Sequence, residues 1–533
     1  MFGRDFLVLK IIWSTFSVSM YMVKNLLKSA FALLLATVSY TSTAQPYKPA
    51  TFTDPDRLKK IRATFPVIDQ LYKKYAEDNH WPGLVYGIVV DGKLVHTGGL
   101  GYTDIDARIK ADSSSDFRIA SMTKSLTAMA ILKLRDEGKL KLDDPAYIYI
   151  PEMKGLKYLT KDAVPVTVRH LLTHTAGYPE DNPWGDRQLA VSDEELMALY
   201  KKGVSFSNDP GQGYEYSNLG FATLGYIIKK VSGKTYEQYI TENILKPLGM
   251  IHTYWEYAKV PKDKLAHGYR WLDGKWVEQP LLHDGAYGAM GGLITTIEDF
   301  SKYIAVHMDA WPPRDDAETL PVKRSSIREM QYPWDVNYLT VNAKTTTGRP
   351  CPNVSAYAYG LRWAKDCDNR VYIGHTGGLP GFGSQWNILP EYGVGVVSFA
   401  NLTYARAGYP NNQALDTLLA LSGIKSRQLP ASAILEQRKN DLLKVIADWS
   451  KAKESGIFAD NFFMDYFPDK LQAAATEAFA KTGRIISAGD IVAENQLRGY
   501  FIIKCETGNI KVSFTLTPEN PPLVQEFHFD VVQ

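Results

Sequence analysis

The sequence predicts an α/β fold: an antiparallel sheet built from both ends of a large domain, with flanking helices and an inserted all-helical part, followed by a small C-terminal α+β domain. Three observations carry that prediction. Strand patterns occur at residues 84–90 and 93–97 and return late, at 357–364, 371–374, 385–389 and 393–400. Helical patterns occupy the interval, at 126–137, 193–201, 219–231 and 235–244. Beyond the break at Leu429-Pro430 a second series begins, of helical patterns first and strand patterns after. Strands contributed from both sides of a helical insertion must share a sheet whose apolar faces the helices cover.

The elements follow in order. Residues 1–44 read as an address: Lys24 and Lys28 flank the start of an apolar stretch over 29–38, and Ser42 and Ala44 place small residues at −3 and −1 of a cleavage site before Gln45. The stretch is shorter than the roughly 20 residues that span a bilayer. Residues 1–21 hold a second apolar run, interrupted by Lys10, so Met22 is the expected true start. No cysteine precedes Cys351, and a lipid-modified N-terminus is not expected. The protein is therefore expected to be exported, periplasmic or secreted, without a stable membrane span once the signal is removed. Residues 45–428 form the expected main domain. A helix is expected over 56–78, then the strand 84–90, the hairpin turn Asp91-Gly92 and its partner 93–97. In the accessory domain, 429–533, helical patterns cover 432–453 and 469–481, and strands 496–505, 510–517 and 523–531 form a meander punctuated by Thr507-Gly508-Asn509 and Asn520-Pro521-Pro522. Trp449, Phe462, Phe463 and Phe467 are expected in its core rather than on a binding platform.

Composition excludes some functions. The 533 residues are 45% hydrophobic and 22% charged, ordinary for globular protein, and the net charge is only +2. That balance calls for neither nucleic acid nor an anionic membrane. The three cysteines, Cys351, Cys367 and Cys505, show no C-x-x-C spacing. A Cys351–Cys367 bridge and three free thiols are both compatible with the sequence.

The strongest chemical signal is Ser121-Met122-Thr123-Lys124, running directly into an apolar helix. Three residues apart, Ser121 and Lys124 share a helix face. A serine at a helix start feels the positive end of the dipole, and a desolvated amine beside it can take its proton. By itself the pattern also suits a helix cap with a solvated lysine. Two further segments follow it in order. Tyr216-Ser217-Asn218 comes after the turn-rich Asp209-Pro210-Gly211-Gln212-Gly213 and before a helix, and His375-Thr376-Gly377-Gly378 ends a strand.

Together these segments resemble the serine β-lactamase and penicillin-binding protein superfamily, in its class C branch, where S-x-x-K, Y-x-N and K-T-G or H-T-G occur in that order. Leu142-Asp143-Asp144-Pro145, His170 to Gly177, Lys246-Pro247-Leu248-Gly249-Met250 and Gly291-Gly292-Leu293 add to a resemblance covering about residues 55–425. It implies a β-lactamase/transpeptidase-like fold and a hydrolase working through an acyl-enzyme on Ser121. Lys124 and Tyr216 are the implied proton-handling pair, and which of them is the base stays open. Backbone N–H groups of Ser121 and Gly378 are the implied oxyanion hole. Asn218 is implied to hold the substrate amide and Lys124, while His375, Thr376 and Gly377 line the cleft, with His375 relaying protons or binding substrate. No cofactor and no metal are implied.

His-Thr-Gly-Gly also occurs at His96-Thr97-Gly98-Gly99, before the nucleophile, and reads as ordinary strand. His170 and His174 have the i, i+4 spacing of metal ligands, but no Glu follows His170 as a zinc protease requires. No G-x-S-x-G elbow and no Walker loop occur. Asp143 and Asp144, beside Pro145, read as turn-shaping. The departure that matters is His375 where dedicated β-lactamases of this group carry lysine, since histidine is largely neutral at pH 7. The expected substrate is a small molecule or peptide with an amide or ester bond, cleaved by a D-amino-acid peptidase, carboxypeptidase or esterase. The alternatives are a class C-type β-lactamase, a penicillin-binding sensor with little turnover, or a protein whose main function lies in the C-terminal domain.

Overall fold

The computed structural model describes residues 47–345 and 347–532, so the expected signal segment and start site lie outside the described residues. Two compact units are present, one over Pro49–Pro430 and one holding Ala431–Gln533. Among the described residues no helix is long and apolar enough to cross a membrane.

The first unit is built on a nine-stranded antiparallel sheet. Its strands are β1 (Gly83–Val90), β2 (Lys93–Asp104), β3 (Ile109–Lys110), β4 (Asp335–Thr340), β5 (Asn353–Tyr357), β6 (Arg362–Lys365), β7 (Val371–Leu379), β8 (Phe382–Leu389) and β9 (Val394–Ala400). Their spatial order is β3-β2-β1-β9-β8-β7-β6-β5-β4, so strands from the two ends of the unit meet at β1 and β9. Every residue of β1 is buried, which explains its unbroken apolar sequence. Val85 and Val89 join a core with Ile297, Phe300 and Ile304, while Leu84, Tyr86 and Ile88 join another with Ile68, Tyr72 and Leu415. Strand pleating thus divides one run between two cores. The covering helices are α1 (Phe65–Asp78), α4 (Ile297–Asp309) and α5 (Gly408–Ser422), and the inserted helical part is centred on α2 (Thr123–Asp136) and α3 (Asn218–Ser232). From Thr123 to Leu132 every residue of α2 is buried, as befits a helix surrounded by protein on all sides.

Several expected elements are redrawn. The helix expected over 56–78 is two, Arg57–Arg62 and α1, because Pro66 lacks an N–H and can stand only in a first turn. The strand expected at 93–97 continues to Asp104 through Gly98, Gly99 and Gly101. A Cβ at Gly98 would sit 2.1 Å from the Tyr86 ring, so glycine here permits close pairing instead of marking a loop. The single strand expected over 357–364 is the hairpin β5–β6. Its turn passes through Gly360, at φ +63°, where a Cβ would lie 2.7 Å from the Lys124 carbonyl oxygen. Cys351 and Cys367 form a disulfide that closes the open end of this hairpin. The helix expected over 235–244 is Tyr236–Ile240 followed by a π-turn, Thr241–Leu245.

The second unit has α6 (Ala433–Val445), α7 (Pro468–Thr482) and a five-stranded sheet of β10 (Ile485–Ala488), β11 (Val492–Asn495), β12 (Arg498–Cys505), β13 (Asn509–Leu516) and β14 (Val524–Val532). Their order is β10-β12-β13-β14, with β11 also paired to β12. Alternate residues of β12 and β13, among them Phe501, Ile503, Val512 and Phe514, enter the core together with Trp449 and Phe462. Phe463 packs against that core at its margin, whereas Phe467 caps α7 and is 54% exposed, contrary to the expected core position. The free Cys505 is buried.

Candidate active site

Ser121 occupies a single 3-10 turn, Ala120–Met122, that opens into α2. Ala120 has φ +51°, a left-handed conformation uncommon for a residue with a Cβ, directly before the serine. The turn is anchored from three sides: Ile119 N–H donates to the Leu293 carbonyl at 2.9 Å, Ser384 Oγ donates to the Ile119 carbonyl at 2.7 Å, and Thr123 Oγ1 donates to the Ala120 carbonyl at 2.7 Å. Gly377 makes the approach possible, since a Cβ there would stand 2.2 Å from the Ile119 oxygen. Its place is therefore behind the serine turn, as the contact between β7 and that turn.

One turn along α2, Lys124 is fully buried. Its Nζ lies 2.9 Å from Ser121 Oγ, 2.7 Å from Asn218 Oδ1 and 2.9 Å from the Met290 carbonyl oxygen. Burial pushes its pKa down to about 7, against the opposing pull of Asp186 and Asp181. The amine is thus poised near neutrality. Tyr216 lies over it, with Nζ 4.9 Å from the ring centroid, and lines the same cleft as Ser121. Burial moves the phenol in the other direction, far from tyrosinate.

Asn218 is the first residue of α3. Its carboxamide is committed on both sides, the oxygen to Lys124 and the nitrogen to Asn182 Oδ1 at 3.0 Å. Asp181 sits across the helix N-terminus, accepting from Asn218 N at 2.6 Å, Leu219 N at 2.8 Å and Ser217 Oγ at 3.1 Å. A carboxylate there satisfies orphan N–H groups and complements the dipole. Sequence reading missed Asp181, which lies 37 residues before Asn218 with no local pattern to link them.

The cleft in front of Ser121, about 220 Å3, is lined by Tyr216, Thr376, Gly378, Arg362, Asp186 and Tyr404 among others. It follows a free edge, because β6 pairs with β7 only over Val371 to Gly374. Thr376 and Gly378 face it. His375 is buried, pairs through Nε2 with the Tyr357 hydroxyl at 2.8 Å, and approaches the Thr376 carbonyl through Nδ1 at 2.5 Å. Burial and the charges of Arg362 and Lys124 hold it neutral. If Nδ1 carries the proton, Nε2 accepts from Tyr357, so the ring is engaged on both sides. Arg362, exposed and 5.8 Å from the Tyr216 ring centroid, makes no ion pair among the described residues. No sequence motif marks it.

The set-aside residues also find places. His96 stacks on Phe65 at 4.4 Å and bonds Asp69, on β2 at the far side of β1, β9 and β8 from β7. His170 Nδ1 accepts from Thr167 N–H in a capping box. His174 Nδ1 accepts from Ser217 N–H at 3.1 Å, and its ring packs 4.2 Å from that of Tyr216. The histidine pair is thus spent on two separate backbone groups, and His174 is a third residue, after Asp181 and Arg362, that sequence reading did not connect with the site. Asp143 pairs with Arg169, and Asp144 accepts from Lys141 N–H and the Tyr149 hydroxyl.

A model of the beta-lactamase family matches residues 68–420, more than half of the chain. The chain belongs to the beta-lactamase family. Among curated proteins it is similar to Protein flp of Staphylococcus aureus (strain NCTC 8325 / PS 47), 30% identical over 342 residues, which are 63% of this chain and 62% of that protein. It is also similar to Beta-lactamase-like protein 2 of Dictyostelium discoideum, 31% identical over 50% of each chain. The chain spans less than two thirds of the length of these relatives. Among solved structures it resembles the octameric penicillin-binding protein homologue from Pyrococcus abyssi, with a TM-score of 0.56 and 25% identity over 87% of this chain and 95% of that one. The fold is that of the β-lactamase and penicillin-binding protein superfamily.

Proposed function

We propose that this member of the beta-lactamase family is a serine hydrolase that cleaves amide or ester bonds through an acyl-enzyme on Ser121. The observation that carries the reading is the buried Lys124 amine, 2.9 Å from Ser121 Oγ and lowered to about 7. A neutral amine there takes the Ser121 proton as the oxygen attacks a carbonyl carbon. Tyr216, held as a neutral phenol, passes a proton to the leaving group and later takes one from water. The opposed shifts of the two groups favour Lys124 as the base. Backbone N–H groups of Ser121 and Gly378 receive the developing oxyanion, each donor supporting roughly 2.7–4 kcal/mol of transition-state stabilisation. Asn218 acts by fixing Lys124, and Thr376 contacts substrate at the free edge of β7. His375 acts through Tyr357 as a positioning residue.

Arg362 favours a peptidase acting on chains that end in a carboxylate. It supplies, from β6, a cation with no ion-pair partner among the described residues, in the cleft where His375 supplies none. Export is part of the reading, and the Cys351–Cys367 disulfide suits an oxidising compartment. The C-terminal unit is proposed as an accessory module. The test is hydrolysis of p-nitrophenyl acyl esters, D-Ala-p-nitroanilide, peptides with free or amidated C-termini, and nitrocefin, by the wild type and Ser121→Ala. Turnover of carboxylate-ended peptides above their amides, lost in Ser121→Ala, is the expected result. Nitrocefin dominating the panel would make the protein a β-lactamase, and turnover surviving in Ser121→Ala would remove the serine from the mechanism.

A further inference from the structure

A second cavity, about 760 Å3, lies against the α5 face of β7 and β8. That is within the roughly 300–1,000 Å3 of small-ligand sites. It adjoins the catalytic cleft, since Thr376, Gly378 and Tyr404 line both. Arg362 stands level with Gly374 in the β6–β7 register, and Tyr404 lies against Gly378. The β7 positions they flank, Gly374 and Gly378, lie about 13 Å apart along the strand at about 3.3 Å per residue.

The cavity presents amides. Gln385 pairs across from Thr376, is more than nine-tenths buried, and its Oε1 has no hydrogen-bond donor among the described residues. A buried carbonyl oxygen without a donor is rare in folded proteins and points to a partner from outside the chain. Asn387, two residues along the same face and also buried, donates to Asn412 Oδ1 at 3.1 Å. The acids deeper in are already matched, with Arg370 2.7 Å from Asp366 and 3.7 Å from Asp416. Besides the exposed Lys344 and Arg406, the lining offers carboxamides, among them Gln385 and Asn387. Their two-residue spacing on one strand equals the same-face repeat of an extended peptide. An extended peptide alternates N–H donors and C=O acceptors at that repeat, which a sugar ring does not.

We propose that this cavity is a subsite for the acyl-side arm of an extended peptide substrate, with Gln385 Oε1 accepting one of its backbone N–H groups. The proposal deepens the hydrolase reading and rests on it for the substrate's orientation, a leaving-group carboxylate at Arg362 directing the other arm past Tyr404.

Binding to the full-length Ser121→Ala protein tests it without turnover. N-acetyl-tetraalanine amide, in L and D series, should bind about ten-fold more tightly than N-acetyl-alanine amide in one series. Gln385→Leu should erase that advantage and leave the short amide unaffected, and Asn387→Ala should reduce it. Fluorophosphonate labelling of Ser121 in an otherwise wild-type Gln385→Leu protein should keep its rate, which separates loss of the subsite from loss of the fold. Equal binding of long and short amides, an advantage that survives Gln385→Leu, or capture of a chito-oligosaccharide with no peptide binding would each overturn the proposal. Failure of wild-type Ser121 to label would sink the hydrolase reading alone, and the amide-binding comparison would still decide this one.

Discussion

In the proposed mechanism Lys124 acts through one physical fact, that an amine enclosed by protein loses more as a cation than nearby carboxylates restore. The sign of its pH dependence follows. Below about 7 the amine is protonated and cannot accept the Ser121 proton, and above it the free base predominates. The second-order rate of fluorophosphonate labelling should rise about ten-fold per pH unit below that point and level off above it. Rates measured between pH 5 and 9 check this, and a flat profile would take Lys124 out of the role of base. At this scale the sequence was unevenly legible. Ser121 and Lys124 lie one helical turn apart, so their adjacency is local and periodicity reveals it. Asp181, His174 and Arg362 reach the site only after long-range folding, and no spacing in the chain connects them with Tyr216 or Asn218. His375 was legible by position, while its burial against Tyr357 depends on strand pairing that sequence alone does not reveal.

At the scale of elements, glycine explains both what could be read and what was misread. Gly377 and Gly360 bring β7 and the β5–β6 turn onto the backbone around Ser121 and Lys124, at places where a Cβ would stand 2.2 and 2.7 Å from carbonyl oxygens. Neither obstacle is a flexible side chain. Gly377→Val should therefore displace β7 from the serine turn, with a destabilisation of about 1–3 kcal/mol and a far larger fractional loss of Ser121 labelling. Urea unfolding and labelling rates measured together check it; unchanged labelling would show that the contact is not needed. The same residue type hid the true extent of β2, whose glycines resemble punctuation until Tyr86 is seen against Gly98. Strands of the β1 kind were legible because burial on both faces leaves an unbroken apolar run. The hairpin β5–β6 was read as one strand because its turn, closed by Gly360, carries no Asn-Gly or Asp-Gly signal.

For the whole molecule, the sheet drawn from both ends of one unit sets the lobe of α2 and α3 against β7, and the cleft opens along the stretch of that strand which β6 leaves unpaired. The architecture was legible as a pattern of strands, helices and strands, whereas the edge strand β4, with Val336, Tyr338 and Leu339 exposed, offered no buried face to betray it. Stability of this unit should carry an acid-sensitive component. His307, enclosed by Tyr303 and Trp386, is lowered by burial to about 3. The unfolded chain binds its proton near pH 6.5 and the folded one does not, so this stabilisation falls as pH drops below about 6.5. Relative to His307→Asn, the wild type should lose about 1.4 kcal/mol of unfolding free energy between pH 7.5 and 5.5. Urea titrations of both proteins at the two pH values measure that difference, and a gap independent of pH would contradict it.

The most direct test of the central claim is intact-mass analysis of the full-length protein after reaction with a fluorophosphonate, followed by peptide mapping. The account predicts a single adduct on Ser121, absent from Ser121→Ala and formed at least a hundred-fold more slowly in Lys124→Ala, on the order expected for loss of a general base. No adduct on the wild type, or an adduct on another residue, would contradict it.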